Sequence, residues 1–407
     1  MDKELNLDVL YLNKFILCCV SLVILTTSNA LAEQFNSALK LTYHQKVINN
    51  FTKFAIPGGA YVVVKGERIL ALETIGYTDL SEARTVNAET AFRLASVSKT
   101  FAATVTTMLA REKRLNLDDP VTRFAPNFKL ADKNAADRIT LKHLLSHSSG
   151  LIPNAYDNLL HEGWSMDKIL SRFRKIKPLC QPAQCYGYQN IAYSLLQPAV
   201  EASQPKSYAQ LLQHRVFTPL AMNNASVGYQ AFIRNSNIAK PHILRKRINT
   251  GQFDRSGKAI RQYIWRTVAV APDYYQVSPA AGVNASIVDM AKWLIANLGF
   301  KPEVLSKALL AEMTEPRIQT KRDLRKRYWR RLLKDAHYGY GWRIYQMQDF
   351  KLIYHSGWVE GYRADIGYAP ELGIGFAMLM NAESNVIGKL SAEFWSNAKL
   401  YTSGLDH

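Results

Sequence analysis
Three short patterns hold the side chains that could do chemistry in this 407-residue chain. In Ser96-Val-Ser-Lys99 a hydroxyl and an amine lie three residues apart, and on a helix such positions share one face, with Cβ atoms about 5–6 Å apart. A lysine kept neutral by burial can take the serine proton and so make a nucleophile. A helix start also offers free N–H groups and a positive dipole end to a developing oxyanion. The spacing by itself is unspecific. Ser37/Lys40, Ser165/Lys168, Ser203/Lys206 and Ser396/Lys399 match it too, and an N-capping serine with an exposed lysine explains such a pair equally well. Ser96 is set apart by its place, after the extended piece Phe92–Ser96 and at the head of a strongly apolar helical run.

The second pattern is Tyr188-Gln-Asn190, and Tyr11/Asn13 and Tyr156/Asn158 share its spacing. A tyrosine near a buried lysine can have its pKa lowered and serve as acid or base. The asparagine amide beside it can hold a substrate carbonyl or the lysine. The plainer alternative is a packed aromatic opening the helix that continues from Ile191. The third pattern is His355-Ser356-Gly357 at the end of a strand, followed by Trp358. A glycine there lets a substrate lie along the strand edge, and the N–H groups of Trp358 and Ser96 could together form an oxyanion hole. The alternative is a strand-end histidine before a turn.

The elements that must position these residues follow from periodicity. Leu39–Phe54 has helical spacing. Ala60–Lys65 and Ile69–Ile75 read as strands joined by the hairpin signal Gly66-Glu67-Arg68. Phe101, Val105, Met108 and Leu109 recur at helical intervals. From Asp118 to about Pro279 helices and loops dominate, with helices expected at Thr140–Leu145, Asp167–Phe173, Ile191–Ala202 and Tyr208–Val216. A further helix is expected at Ser286–Leu298. Strands return at Tyr338–Tyr345, Lys351–His355, Arg363–Tyr368 and Ile374–Met380, before a last helix from about Asn385 to Leu400. Strands at both chain ends must meet to satisfy their backbone groups. The expected fold is therefore mixed α/β: an antiparallel sheet built from both chain ends and flanked by helices (33–115 and 280–407), with a mainly helical region, 116–279, inserted.

Hydrophobic residues make up 48% of the chain, enough to exclude a disordered one. The formal charge is +18, which raises nucleic acid or an anionic surface as partners. The N-terminus discriminates between them. Lys3 and Lys14 precede the apolar run Phe15–Leu25, and Ala30-Leu31-Ala32 is a small-x-small cleavage pattern, so 1–32 reads as a secretory signal peptide. An uncleaved anchor is the alternative. Export to the periplasm or beyond argues against a nucleic-acid partner and leaves Cys180 and Cys185 as a disulfide candidate in an oxidising compartment.

In this order and context the three patterns resemble the serine β-lactamase and penicillin-binding protein family, class C branch; the S-x-x-K element of that superfamily is a known catalytic motif. Phe92–Phe101, Thr140–Leu151, Tyr338-Gly-Tyr-Gly-Trp342 and Pro370–Phe376 leading to Asn381 are similar to the same branch, so the resemblance covers roughly Leu41 to Leu400. It implies a β-lactamase/transpeptidase-like fold, Ser96 as nucleophile and Lys99 as its proton acceptor or electrostatic partner. Tyr188 is implied as general base and acid, and Asn190 as a ligand of the substrate amide. His355, Ser356 and Gly357 are implied as the third substrate-binding motif, and the backbone N–H groups of Ser96 and Trp358 as the oxyanion hole. No metal or organic cofactor is implied.

Class C β-lactamases usually carry Lys-Thr-Gly where this chain has His355-Ser356-Gly357, and His-x-Gly is more typical of the family's DD-peptidases, D-aminopeptidases and esterases. Histidine is largely neutral at pH 7, so it attracts the carboxylate of a β-lactam less than lysine does. The expectation is an exported serine hydrolase that forms an acyl-enzyme on Ser96 and acts on an amide or ester such as a D-amino-acid peptide. A class C β-lactamase, and a penicillin-binding or envelope-binding protein without turnover, are the alternatives. Two basic segments, Lys240–Arg266 and Arg317–Lys334, look like additions to the family core. They are either solvated faces or docking surfaces for an anionic envelope or cell-wall polymer.

Overall fold
The computed structural model describes residues 41–132 and 134–401; the expected signal peptide lies outside them. Helix α1 (41–53) leads into the hairpin β1 (Gly58–Lys65) and β2 (Arg68–Asp79), then β3 (Arg84–Thr85). Short strands β4 (Phe92–Arg93), β5 (Ser226–Val227) and β8 (Val283–Ala285) form a small sheet in the order β4-β8-β5. Strands β6 (His242–Phe253) and β7 (Ala259–Thr267) pair only with each other. The C-terminal strands are β9 (Ile318–Gln319), β10 (Asp335–Tyr338), β11 (Arg343–Gln346), β12 (Lys351–Val359), β13 (Tyr362–Ala369) and β14 (Ile374–Met380). They complete a nine-stranded antiparallel sheet, β3-β2-β1-β14-β13-β12-β11-β10-β9. The two chain ends meet where β1 pairs β14, from Gly59 opposite Met380 to Lys65 opposite Ile374.

Both faces of this sheet are covered, which is why β1 reads as a nearly continuous apolar run. Val62 and Val64 face one core, with Ala377 and Leu379. Tyr61 and Val63 face the other, with Phe376 and Met378 against α1 and the C-terminal helix Val386–Ser396. Helix α2 (Ser98–Arg111) runs through the first core with twelve of its fourteen residues buried, so it must also hide polar groups. Three of its threonines do this by donating to backbone carbonyls about a turn back: Thr100 to Val97 O at 2.9 Å, Thr104 to Thr100 O at 2.8 Å and Thr106 to Ala102 O at 2.7 Å.

Two expectations need correction. Tyr338–Tyr345 is two strands with a turn between them. Gly341 in that turn has φ +72°, and a Cβ there would fall 2.6 Å from Lys99 O. The region 116–279 is mainly helical but also contains the β6–β7 hairpin, which polar and basic residues conceal from a periodicity reading. Arg317–Lys334 is woven into the body: Asp323 and Trp329 are buried, and Asp323 pairs with Arg343 of β11. Among the described residues, no helix is long and apolar enough to cross a membrane.

Candidate active site
Ser96 lies in a short 3-10 turn, Ala95–Val97, directly before α2. The buried Ala95 adopts φ +49°, a left-handed conformation that is costly for a residue with a Cβ and that turns the chain sharply between β4 and the helix. Strand β12 comes close to this turn at Gly357, where a Cβ would lie 2.2 Å from Leu94 O and 3.2 Å from Ser96 N. Only glycine permits that approach, and it brings the peptide joining Gly357 to Trp358 alongside the Ser96 N–H.

Lys99, one helical turn on, is fully buried. Its Nζ is 3.2 Å from Ser96 Oγ, 2.7 Å from Asn190 Oδ1 and 3.1 Å from Ala280 O. Two of those partners accept only, so a neutral amine would donate both hydrogens to them and turn its lone pair toward the Ser96 hydroxyl. Burial drives the Lys99 amine well below the ordinary lysine range; the Asp157 carboxylate opposes this and Arg343 adds to it. Tyr188 lies beside both groups. Its ring centroid is 4.6 Å from Lys99 Nζ, and its hydroxyl lies near the Ser96 side chain. Burial holds its phenol well above the ordinary tyrosine value, with the Ser96 side chain and Arg343 opposing.

The segment that presents Tyr188 is tied down on both sides. Cys180 and Cys185 form a disulfide. Leu179 N donates to Gly150 O, Ala183 N to Ser148 O and Gly187 N to His147 O, all at 2.7–2.8 Å. Gln189, the middle residue of its motif, caps the helix Asn190–Ser194: its Oε1 accepts from Ile191 N at 2.7 Å and Ala192 N at 3.2 Å. Asn190 then bridges two ionisable groups, accepting from Lys99 and donating its Nδ2 to Asp157 Oδ2 at 2.7 Å.

His355 is buried on β12 with both ring nitrogens occupied. Nδ1 is 2.9 Å from Ser356 O, an obligate acceptor, so Nδ1 carries the hydrogen, and Nε2 accepts from Tyr338 Oη at 2.9 Å. Burial, Arg343 and Lys99 all hold this imidazole neutral. The third motif therefore supplies no cation. Ser356 sits opposite Asp365 in the β12–β13 pair, at the alternate strand position from His355 and Gly357. Trp358 is 58% exposed, with the Arg363 guanidinium 5.1 Å from its ring centroid.

Ser96, Lys99, Tyr188, Asn190 and Gly357 are thus brought together, while His355 stands behind them through Tyr338. Four contributors escaped the sequence reading. Asp157 opens the short helix Asp157–His161 and is linked to Lys99 through Asn190, while Ala280, in the short helix Ser278–Ala281, accepts from Lys99 directly. Arg343 sits behind Tyr188 with its guanidinium carbon 5.6 Å from that ring, paired to Asp323 and 3.3 Å from Tyr186 Oη. The buried His147 ring packs on Tyr188 at 4.2 Å between centroids. His147 lies inside one of the family-like stretches, so its place was legible there although its role was not.

Comparison with known proteins gives a consistent result. The sequence model of the family described as Beta-lactamase matches residues 45–394. Protein flp of Staphylococcus aureus (strain MRSA252) is 23% identical over 352 residues, covering 84% of this chain, and the chain spans only 63% of that relative's length. A protein of Escherichia coli (strain K12) named Beta-lactamase is 26% identical over 331 residues, 81% of this chain and 76% of its own. The octameric penicillin-binding protein homologue from Pyrococcus abyssi shares the fold, with a TM-score of 0.72 and 24% identity over 90% of this chain and 78% of that one. Since the family match takes in almost every element that frames Ser96, this chain belongs to the β-lactamase family, whose members are serine hydrolases of the β-lactamase and transpeptidase type.

Proposed function
We propose that the protein is an exported acyl hydrolase that uses Ser96 as nucleophile on an amide or ester such as a D-amino-acid peptide. The observation that carries this reading is the buried Lys99 amine, held by neutral acceptors and 3.2 Å from Ser96 Oγ. The Ser96 proton moves to Lys99 as Oγ bonds to the carbonyl carbon. The oxyanion is met by the N–H groups of Ser96 and Trp358. The scissile C–N or C–O bond then breaks, and the leaving group takes a proton through Tyr188, which Lys99 replenishes. Water adds to the acyl-enzyme by the reverse relay and releases the acid. Tyr188, held as a phenol, fits the role of proton donor and relay, and Asn190 positions Lys99 and the substrate amide.

The neutral His355 favours a substrate that needs no cation at the third motif. β-Lactam hydrolysis is the second reading, favoured by the name of the Escherichia coli relative. Intact-mass measurement after exposure to a penicillin and to an activated ester tests both. The expected result is one acyl adduct on the wild type and none on Ser96→Ala; if no reagent labels Ser96 at any pH, the hydrolase reading fails. A penicillin adduct lost within seconds favours the β-lactamase reading, and one that persists for hours favours the peptidase.

A further inference from the structure
The β6–β7 hairpin is not explained by the hydrolase site. It carries seven basic residues and one acid between His242 and Thr267. That acid, Asp254, is taken up inside the turn: its Oδ1 accepts from Ser256 N at 2.9 Å, Ser256 Oγ at 2.6 Å and Lys258 N at 3.0 Å. Among the described residues none of the seven cations forms an ion pair, whereas Lys240 just outside the hairpin pairs with Asp79 and Glu82. The positive charge of the hairpin is therefore uncompensated.

Its aromatic residues differ between root and tip. Trp265 and Tyr263 anchor the hairpin on the body: Trp265 Nε1 donates to Phe54 O at 3.0 Å, and the Tyr263 and Phe54 ring centroids are 5.2 Å apart. At the far end Phe253 is 66% exposed and Ile260 40% exposed, next to Arg255 and Lys258 of the turn. A soluble polyanion would need only the cations. An exposed phenylalanine at the tip, with Arg255 and Lys258 in the adjoining turn, fits a surface that is anionic outside and apolar just beneath.

We propose that this hairpin docks the protein on an anionic lipid bilayer, with Phe253 and Ile260 entering the headgroup layer and the surrounding cations meeting acidic headgroups. At the hairpin root, Pro241 and His242 pack against Gly361 in the turn between β12 and β13, and His242 N donates to Gly361 O. That turn follows Trp358, so the hairpin joins its docking tip to the body beside the rim of the Ser96 cleft.

Flotation of the full chain with phosphatidylcholine vesicles, with and without phosphatidylglycerol, tests the proposal without any turnover readout. The N-terminal apolar run is common to every variant, so differences between variants belong to the hairpin. The wild type should bind phosphatidylglycerol vesicles at least about tenfold more tightly than pure phosphatidylcholine, and salt should weaken that preference. Arg255→Glu with Lys258→Glu should abolish the preference. Phe253→Ser should weaken binding and keep its salt dependence, while Phe253→Trp should shift its emission to the blue on anionic vesicles only. The proposal is overturned if the charge-reversed variant floats like the wild type. It is also overturned if Phe253→Ser is without effect and a soluble acidic cell-wall polymer displaces the protein, since the hairpin then reads polyanions and not lipid. Equal melting temperatures for the variants show that the changes are local.

Discussion
Lys99 and Arg343 stand near the same tyrosine ring, with Lys99 Nζ 4.6 Å and Arg343 Cζ 5.6 Å from the centroid of Tyr188. Both are buried, and their surroundings differ in one respect. Arg343 has a carboxylate in direct contact, Asp323, which is also 2.8 Å from Lys326. Burial opposes ionisation of Asp323, yet Arg343 and Lys326 outweigh it and hold the carboxyl well below its ordinary range. Lys99 touches only neutral oxygens, and the nearest carboxylate, Asp157, acts on it through Asn190. A buried charge with a contacting counter-ion is fixed; one without is easily discharged. The fold therefore places a permanent cation behind the site and a dischargeable amine within it.

The largest effect that would break this contrast is on chemistry. Lys99→Met removes the amine at similar volume and should slow acylation of Ser96 about 10²- to 10⁴-fold. Stopped-flow with an activated ester reads the rate, and a loss below tenfold would mean that another group takes the proton. Next comes stability. Asp323→Asn leaves Arg343 buried without its counter-ion and should cost about 3–5 kcal/mol in a denaturant titration. A cost under about 1 kcal/mol would show that Arg343 is not fixed in this way.

The smallest effect sharpens the comparison most. Asp157 stabilises the charged amine of Lys99 and Arg343 destabilises it. Asp157→Asn should move the acid limb of the acylation profile to lower pH, and Arg343→Gln should move it to higher pH. The limb midpoint does not depend on how much enzyme is folded, so loss of stability does not mask the sign. Shifts in the same direction would contradict the electrostatic picture.

The sheet was legible because its strands are apolar runs with a clear turn signal at Gly66-Glu67-Arg68 and a closing strand, Ile374–Met380, found with the expected bounds. Ser96, Lys99, Tyr188 and Asn190 were legible as motifs tied to a fold. The fixed charge was not, because Arg343 and Asp323 lie within a basic stretch and just beyond it, where any arginine looks solvated. Only the pairing of β10, β11 and β12 turns that stretch inward. The β6–β7 hairpin was missed for a related reason: its strands carry Arg245-Lys246-Arg247 and Arg261-Gln262 where a buried strand would carry apolar residues. Gln189 stood only as the middle residue of its motif, and its capping role depends on a backbone geometry that spacing alone does not reveal.

The most direct test is the rate of Ser96 acylation against pH, followed by intact mass, for the wild type, Tyr188→Phe and Lys99→Met. Deprotonated Lys99 is the active form, so the rate should rise as pH rises through its folded-state pKa, with a midpoint clearly below the ordinary lysine value of 10.5. Tyr188→Phe should lower the plateau and keep that midpoint, and Lys99→Met should remove the limb. A midpoint at or above 10.5, or a limb that survives Lys99→Met and vanishes in Tyr188→Phe, would contradict the account.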